Sequence, residues 1–327
     1  MDKVERAVDD IRRKWVPDGR LGVFEVSLLP KGIAGITSSR DARDALRRLA
    51  NEQELVDKVQ LIPDAVGDPA AIVTAALAPL QSEPKISAAR VNEVLHGEVL
   101  DVLERREEWL RIRAPDGYIA WLHAGYVATG PTDWAEDWEE RATARSLSAD
   151  ILTTEGRRRL PTGARVAFRR GVVELADGQR GAVAAGNIRR EQELRVEARH
   201  LALPELAQKW YAGAPYLWGG RTEWGIDCSG LAQAVYAARG VALPRDSDQQ
   251  FGQGQEIAMA PDGAGYEAGD LLFFAERGRV SHVALWAGAG RIVHAALSRG
   301  GVGGDNLFGD EPRMVRLREN LVGVRRM

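Results

Sequence analysis

The 327-residue sequence predicts an α+β protein built from several small domains. Helical periodicity near the start and short alternating runs between turn residues in the middle support this prediction. A helix followed by apolar runs of strand length near the end supports it too. A domain typically holds about 100–200 residues, so a chain of this length accommodates two or three.

The first 82 residues are predicted to form a small α/β segment that packs on the rest of the chain. Apolar residues recur at helical spacing from Val4 to Trp15, and LGVFEVSLL then favours a strand. A second helix is predicted over SSRDARDALRRLANEQ, with Ser38 or Ser39 as its N-cap, and another strand over DKVQLIP. We find no motif in this segment that indicates chemistry.

Two small β-barrels are predicted, at residues 83–130 and 148–199. In the first, EVLDVLER, EWLRIRAP and GYIAWLHAGYV are near-alternating apolar runs, and PDG supplies a turn. The runs ARVAFRRG, VVELADG and QRGAVAAGNI repeat this pattern in the second. Strands this short and closely joined are typical of small barrels. The charged stretch PTDWAEDWEERATARSL predicts a helical linker at residues 131–147.

Residues 200–327 are predicted to form an α+β layer. Pro204 can open a helix at its first turn, over PELAQKWYAG. Three apolar runs of strand length follow further on, GDLLFFAE, SHVALWAG and RIVHAALS. A helix followed by successive antiparallel strands favours a layered α+β domain.

Composition and charge exclude several classes of partner. The net charge is −3, so no strong positive field attracts nucleic acid or an anionic membrane. The start, MDKVERAVDDIRRKW, lacks the apolar stretch of a secretory signal, and the longest mainly apolar run, residues 70–80, is shorter than the roughly 18 residues of a membrane span. One cysteine excludes an internal disulfide. We therefore expect a cytoplasmic protein, whose oligomeric state the sequence does not indicate.

Cys228, the single cysteine, comes directly before an apolar helix that ends at Gly240. In the first turn of a helix, unpaired backbone amides and the helix dipole favour negative charge. We therefore expect the thiol to ionise easily and to act as a nucleophile. The alternative is an inert buried cysteine, which the small polar neighbours Asp227 and Ser229 disfavour.

Two of the five histidines are candidates for the base that such a thiol needs. His96, His123 and His200 are interpreted as surface or packing residues. His282 and His294 lie beside apolar strand runs joined by a tight glycine turn. Adjacent antiparallel strands can place two side chains together on one face. One imidazole would then accept the thiol proton while the second orients the first.

Zinc binding is the rival use of cysteine and histidine. A site of one cysteine and two histidines needs a fourth ligand or a water molecule. The sequence has neither C-x-x-C nor H-E-x-x-H spacing. We therefore expect neither a metal ion nor another cofactor.

Six motifs occur in order from about residue 200: YLWGG, DCSGL, RDS, GDLLFF, SHVALW and RIVHA. This series resembles the NlpC family, papain-like cysteine peptidases that cut bacterial cell-wall peptides. The resemblance implies a papain-like catalytic domain with Cys228 as nucleophile, His282 as base and His294 as the third polar residue. It also implies that the hydroxyl of Tyr216 stabilises the oxyanion, together with the Cys228 amide.

The two predicted barrels resemble bacterial SH3-like domains. The whole arrangement resembles the γ-D-glutamyl-L-diamino acid endopeptidases, which release L-Ala-γ-D-Glu from murein peptides with a free N-terminal L-Ala. This implies that Glu83 and Tyr118 contact the amine, together with Asp227. An acylated amine would leave buried carboxylates unpaired, at a cost of about 3–5 kcal/mol. The alternatives are a solvated carboxylate for Glu83 and barrel packing for Tyr118.

The resemblance also implies a site for the free carboxylate of D-Glu. Arginine binds carboxylates through paired N–H groups, which makes Arg245 the candidate. The other residues implied around the substrate are Ser229, Asp246, Ser247 and Trp218. A surface position for Arg245 and a core position for Trp218 are the alternatives.

The predicted function is hydrolysis of the bond between γ-D-Glu and a diamino acid, with a murein-derived peptide as the partner. The alternatives are a secreted autolysin acting on intact murein and a wall-binding protein with an inactive peptidase domain. An acyltransferase that uses the same thioester is a further alternative. The sequence does not distinguish diaminopimelate from lysine.

Overall fold

The computed structural model of the chain describes residues 3–63 and 67–327. The chain divides into two compact units. Unit 1 comprises Met1–Ile72, Gln81–Ala89 and Val99–Ala135, and unit 2 comprises Val73–Leu80, Arg90–Glu98 and Glu136–Met327. Among the helices described, none combines the length and apolarity that crossing a membrane requires.

The N-terminal part of unit 1 is a three-stranded sheet with two helices. Its elements are α1 (Lys3–Trp15), β1 (Phe24–Leu29), β2 (Gly32–Thr37), α2 (Arg40–Glu52) and β3 (Val56–Leu61). The central strand β2 is antiparallel to β1 and parallel to β3. Ser39 caps α2, since its Oγ accepts a hydrogen bond from the Ala42 N–H at 3.2 Å. The predicted helices and strands are present, whereas β2 was not predicted because its glycines interrupt the alternating pattern.

Seven short strands follow. They are β4 (Ala70–Val73), β5 (Leu77–Gln81), β6 (Arg90–Leu95), β7 (Val99–Arg106), β8 (Trp109–Arg113), β9 (Ile119–His123) and β10 (Val127–Gly130). Unit 1 contains the order β10-β4-β7-β8-β9. Because β4 already pairs with β7 from Ala70 onward, this sheet begins before the predicted boundary at residue 83. Helix α3 (Thr132–Arg141) then lies inside the predicted linker.

Residues 90–98, in the middle of the predicted first barrel, belong to unit 2. Glu93 and Glu98 are only 1% and 6% exposed, so their carboxylates need buried partners. Arg221 supplies them: its backbone N–H donates to Glu93, and its guanidinium donates to both carboxylate oxygens of Glu98 at 3.0 Å. The barrel predicted at residues 83–130 is therefore divided between the two units.

A second barrel lies within unit 2. It consists of β11 (Ala144–Thr153), β12 (Gly156–Leu160), β13 (Arg165–Arg169), β14 (Val172–Glu174) and β15 (Arg180–Arg190). The strand order is β12-β11-β13-β14-β15, and β11 also pairs with β15, which closes the barrel around an apolar core. The strands begin at Ala144, four residues before the predicted boundary at 148. Helix α4 (Glu191–His200) follows the last strand.

The C-terminal part of unit 2 is an α+β layer. Its elements are α5 (Leu203–Tyr211), β16 (Arg221–Thr222), β17 (Gly225–Ile226), α6 (Cys228–Ala238), α7 (Ser247–Phe251), β18 (Gln255–Ile257), β19 (Leu271–Glu276), β20 (Arg279–Gly288), β21 (Arg291–Ala296), β22 (Gly301–Asn306), α8 (Pro312–Glu319) and β23 (Leu321–Arg326). The main sheet has the order β18-β23-β19-β20-β21-β22. Residues of α5 and α6, including Leu231 and Val235, share an apolar core with Phe273 and Val283 of this sheet. The predicted α+β fold class is confirmed.

Candidate active site

Cys228 is the first residue of α6, as the sequence predicts. Asp227 is the N-cap, and its Oδ1 accepts a hydrogen bond from the Gly230 N–H at 2.7 Å. The thiol is buried, with 8% of the residue exposed, and the backbone amides of Val283 and Ser229 lie close enough to it to lower its pKa. Since Val283 directly follows His282 in β20, the head of α6 brings the sulfur next to the strand that carries the predicted base.

Three polar side chains form a hydrogen-bonded row across β20, β21 and β22. Nε2 of His282 lies 2.7 Å from Nδ1 of His294, and Nε2 of His294 lies 3.0 Å from Oδ2 of Asp305. In the strand register His294 is opposite Gly303, so Asp305 lies on the same face as His294, one diagonal step further. The structure therefore brings together the two histidines that the sequence places on neighbouring strands, and it adds a carboxylate.

The electrostatics differ from the prediction that Cys228 ionises easily. Burial, followed by the Asp227 carboxylate, raises the pKa of Cys228 to about 12. Burial is the main cause that lowers the pKa of His282 to about 3. Cys228 lies at a helix N-terminus, as predicted. Burial nevertheless raises the pKa of its thiol by more than the helix terminus and the two nearby backbone amides lower it. Thiol and imidazole are therefore both neutral at rest.

The phenol of Tyr216 lies close enough to Cys228 for a thiolate there to affect its pKa. Burial is the main cause that raises the pKa of Tyr216, and the negative charge of Asp227 raises it further. The hydroxyl consequently stays protonated and can donate a hydrogen bond. Trp218, in the same loop, is 63% exposed, so the alternative of a core position does not hold.

Arg245 and Asp227 form a buried ion pair. Nη1 and Nη2 of Arg245 donate to the two carboxylate oxygens of Asp227 at 3.0 and 2.7 Å. The other acceptors of this guanidinium are Asn92 Oδ1, Ser229 Oγ and the Gly220 carbonyl oxygen. All five N–H groups of an arginine are thereby used. The predicted contact between Arg245 and a substrate carboxylate does not fit this arrangement.

The acceptor positions of the Asp227 carboxylate are likewise all filled. Besides Arg245, its carboxylate accepts hydrogen bonds from the backbone N–H groups of Gly219 and Gly230 and from the Ser229 hydroxyl. A carboxylate offers about four acceptor positions. The predicted contact of Asp227 with a substrate amine is therefore replaced by a structural role, in which it anchors the loop before α6.

The remaining predicted residues are distributed over both units. Asp246 is the N-cap of α7, and Ser247 is the first residue of that helix and is buried. Glu83 belongs to unit 1 and forms an ion pair with Lys85 at 2.7 Å, with 60% of the Glu83 side chain exposed. Tyr118 also belongs to unit 1 and is buried. Their contacts with substrate stay predictions.

Sequence reasoning missed the carboxylate that follows the histidines. The Asp305 side chain is only 6% exposed, and its Oδ1 accepts from Arg299 Nη1 at 2.6 Å and from Arg313 Nη2 at 3.0 Å. In the sequence, only strand alternation indicates a role for Asp305, because it lies two residues after Gly303 and therefore on the same strand face. Within residues 3–63 and 67–327, no group of three or more His, Cys, Asp or Glu side chains is arranged to hold a metal ion.

Two segments match known families. Residues 213–319 match the NlpC/P60 family, and residues 80–125 match the bacterial dipeptidyl-peptidase SH3 domain. The chain is 39% identical over 90 residues to a γ-D-glutamyl-L-lysine dipeptidyl-peptidase of Bacillus cereus, an alignment that covers 27% of this chain and 26% of that protein. The chain thus spans about a quarter of the length of the first curated relatives it matches.

A longer alignment and a solved structure extend the likeness. Dipeptidyl-peptidase 6 of Lysinibacillus sphaericus is 27% identical over 269 residues, which cover 74% of this chain and 93% of that protein. The crystal structure of an NlpC/P60 family protein from Bacillus cereus covers 79% of this chain and 99% of its own, with a TM-score of 0.63 at 19% identity, so this likeness concerns the fold. The chain therefore carries an NlpC/P60 domain of the cysteine-peptidase type at residues 213–319, preceded in sequence by a bacterial SH3 domain at residues 80–125.

Proposed function

We propose that this protein hydrolyses the bond between γ-D-glutamate and a diamino acid in cell-wall peptides whose N-terminal L-Ala is free. The observation that carries the proposal is the hydrogen-bonded pair His282–His294 on the strands beside the thiol of Cys228. The substrate class is supported by the relatives, two of which are named γ-D-glutamyl-L-lysine dipeptidyl-peptidase. Dipeptidyl-peptidase 6, which aligns over most of its length, supports it further.

The first half of the proposed reaction forms a thioester. His282 takes the proton of the Cys228 thiol, and the sulfur attacks the γ-carbonyl carbon of D-Glu. The tetrahedral intermediate collapses as its C–N bond breaks, and the proton on His282 passes to the leaving amine of the diamino acid. Because thiol and imidazole are neutral at rest, the proton moves during attack rather than before it.

The second half regenerates the thiol. Water attacks the thioester carbonyl while His282 accepts a water proton, and the C–S bond then breaks. The proton returns to the sulfur, and L-Ala-γ-D-Glu leaves with a new carboxylate. In both halves the protonated Tyr216 hydroxyl and the Cys228 amide donate hydrogen bonds to the oxyanion.

The proposal also assigns the residues that recognise the substrate. We assign the amine of L-Ala to Glu83 and Tyr118, and the remainder of the dipeptide to Ser229, Asp246, Ser247 and Trp218. Arg245 and Asp227 are withdrawn from this set because their hydrogen-bonding groups are used by each other and by the loop. A role in recycling murein peptides in the cytoplasm completes the proposal.

The test compares four substrates: L-Ala-γ-D-Glu-diaminopimelate, its N-acetylated form, the corresponding lysine peptide and intact sacculi. We expect the free dipeptide L-Ala-γ-D-Glu from the first, little product from the acetylated form, and none of it with Cys228→Ala. The products are identified by mass spectrometry.

Other results would replace the proposal. Rapid solubilisation of sacculi would favour a wall autolysin, and pelleting with sacculi without hydrolysis of any peptide would favour a binding protein. Transfer of the dipeptide to an added amine instead of water would favour an acyltransferase. Equal rates on free and acetylated peptides would remove the amine from the recognition scheme.

A further inference from the structure

We propose that Asp305 is a positioning residue that fixes the tautomers of both histidines and so leaves Nδ1 of His282 as the proton acceptor. The inference rests on the proposed function for its kinetic consequences, but its structural content can be tested without a substrate. It is based on the hydrogen-bonded row His282–His294–Asp305 and on Arg299 and Arg313, which both donate to Asp305.

The Asp305 carboxylate is ionised in this setting. Burial alone would raise the pKa of Asp305, but the hydrogen bond from His294, together with the charges of Arg299 and Arg313, lowers it overall. An ionised carboxylate only accepts hydrogen bonds. At 3.0 Å from Oδ2, Nε2 of His294 must therefore be the nitrogen that carries the hydrogen.

The tautomer of His294 determines that of His282. Arg299 and Arg313 already form ion pairs with Asp305, and the proposal takes His294 as a neutral imidazole. A neutral imidazole has one N–H, so Nδ1 of His294 carries a lone pair. At 2.7 Å it accepts the hydrogen on Nε2 of His282, which leaves Nδ1 of His282 unprotonated and able to receive the proton of Cys228.

The carboxylate is held in one orientation. Both arginines donate to Oδ1, and His294 donates to Oδ2, so the two oxygens have different partners. Gly303 provides the space for this, because a Cβ there would lie 2.2 Å from Nε of Arg299. The two terminal atoms of the side chain at position 305 therefore have different surroundings: one faces the arginines and the other faces His294.

This asymmetry predicts an unusual result for Asp305→Asn. The arginines can only donate, so they require the amide oxygen of the new side chain. Its NH₂ group then faces Nε2 of His294 and donates to it, which moves the His294 hydrogen to Nδ1. That hydrogen is donated to Nε2 of His282, and the hydrogen of His282 moves to Nδ1. The histidine can then no longer accept the thiol proton.

Asp305→Ala removes the acceptor without supplying a donor, so it leaves the tautomers free rather than reversed. We expect Asp305→Asn to lower kcat roughly 10²–10⁴-fold, as a reversed tautomer does in a catalytic triad. Asp305→Ala should lower kcat by roughly 10–100-fold, as loss of an outer hydrogen-bond partner does at other sites. KM should change little in either variant, since Asp305 touches no substrate in this scheme.

A combined variant tests whether the arginines enforce the reversal. In Asp305→Asn with Arg299→Met and Arg313→Met, the amide can rotate and offer its oxygen to His294. We expect kcat to rise above that of Asp305→Asn alone. The double arginine variant with Asp305 intact provides the reference, and Glu256→Gln, an exposed carboxylate on β18, provides the neutral control.

Nitrogen NMR of isotope-labelled histidine supplies the readout that needs no activity. In the unmodified protein we expect His294 and His282 to be protonated at Nε2, and in Asp305→Asn both to be protonated at Nδ1. Protonation of His294 at Nδ1 in the unmodified protein, or a greater loss of kcat in Asp305→Ala than in Asp305→Asn, would overturn the proposal. Should the peptide resist cleavage while the tautomers are as stated, the proposed function fails and the role of Asp305 stands.

Discussion

Arg245 binds both carboxylate oxygens of Asp227 at a site where the two residues are only 1% and 5% exposed. Asp227 is at the same time the N-cap of α6, so the ion pair holds the backbone at which Cys228 begins the helix. The arginine therefore acts on the nucleophile through Asp227. Its charge is used inside the protein instead of being offered to a substrate.

Replacing Arg245 by methionine should destabilise the fold more than it weakens substrate binding. The substitution leaves the Asp227 carboxylate buried without a cation, which costs about 3–5 kcal/mol when one partner of a buried pair is removed. Urea denaturation measures this loss. Arg180→Met removes an arginine whose side chain is 70% exposed, and it should change stability by less than about 1 kcal/mol. An increase in KM at unchanged stability would instead return Arg245 to the substrate site.

Alkylation of Cys228 should be slow at neutral pH and should accelerate only at alkaline pH. The raised pKa of Cys228 means that little thiolate is present at pH 7, and the thiolate is the reacting form. Mass spectrometry after iodoacetamide treatment measures the rate at each pH, and the absence of other cysteines makes the signal unambiguous. The same thiol in urea, with a pKa near the ordinary value of about 8.5, is the matched control and should react faster at pH 7. Rapid labelling of the folded protein at about pH 5 would mean that His282 already holds the proton at rest.

The elements around the nucleophile were predictable because local patterns specify them. The apolar face after Cys228 and the two strand runs that carry His282 and His294 are each encoded by a short local stretch of sequence. Adjacent strands joined by a tight turn leave few ways to arrange two histidines, so their contact followed from topology.

The partners of charged groups were not predictable, because they come from distant parts of the chain. Asn92 and Arg245 are separated by 153 positions, and nothing in either local sequence indicates that they meet. Asp305 stands among glycines with no motif around it. The ion pair of Arg245 with Asp227 was missed for the same reason, since sequence pattern identifies a cation near the site but not the carboxylate that it contacts.

Tyr216→Phe should lower kcat while leaving KM nearly unchanged. The protonated hydroxyl is proposed to bind the oxyanion, which exists only after attack, and loss of one such donor typically costs about 10²–10³-fold in kcat. Steady-state kinetics on the tripeptide measure both constants. Tyr266→Phe is the matched control: its hydroxyl accepts from the Ala260 N–H at 3.0 Å, so the variant should lose about 1 kcal/mol of stability but keep kcat. Equal kcat for Tyr216→Phe and the unmodified protein would exclude the hydroxyl from the oxyanion site.

The ring of His96 predicts a loss of stability in acid. His96 is fully buried; its Nδ1–H donates to the Thr74 carbonyl oxygen at 3.0 Å, and its Nε2 accepts from the Ala176 N–H at 3.0 Å. Burial is the main cause that lowers the pKa of His96 to about 4. Protonation would place a hydrogen on Nε2, where the ring now accepts one.

The sign of the effect follows from proton binding. Between pH 6.5 and pH 4 the unfolded chain binds a proton at this histidine and the folded chain does not, so the free energy of unfolding falls as the pH falls. The lowered pKa of His96 therefore reduces the free energy of unfolding by about 3 kcal/mol once the pH has fallen to the lower end of this range. His282, whose pKa is lowered to about 3, adds a loss in the same direction that continues to lower pH.

The measurement is the slope of unfolding free energy against pH, not its value at one pH. His96→Gln loses hydrogen bonds and should be less stable at pH 7, but it also removes the titration, so its slope between pH 6.5 and 4 should be shallower than that of the unmodified protein. His200→Gln removes an exposed histidine and serves as the comparison variant. Because a purely structural defect shifts the whole curve without tilting it, an unchanged slope in His96→Gln would show that this ring is not the group that titrates on unfolding.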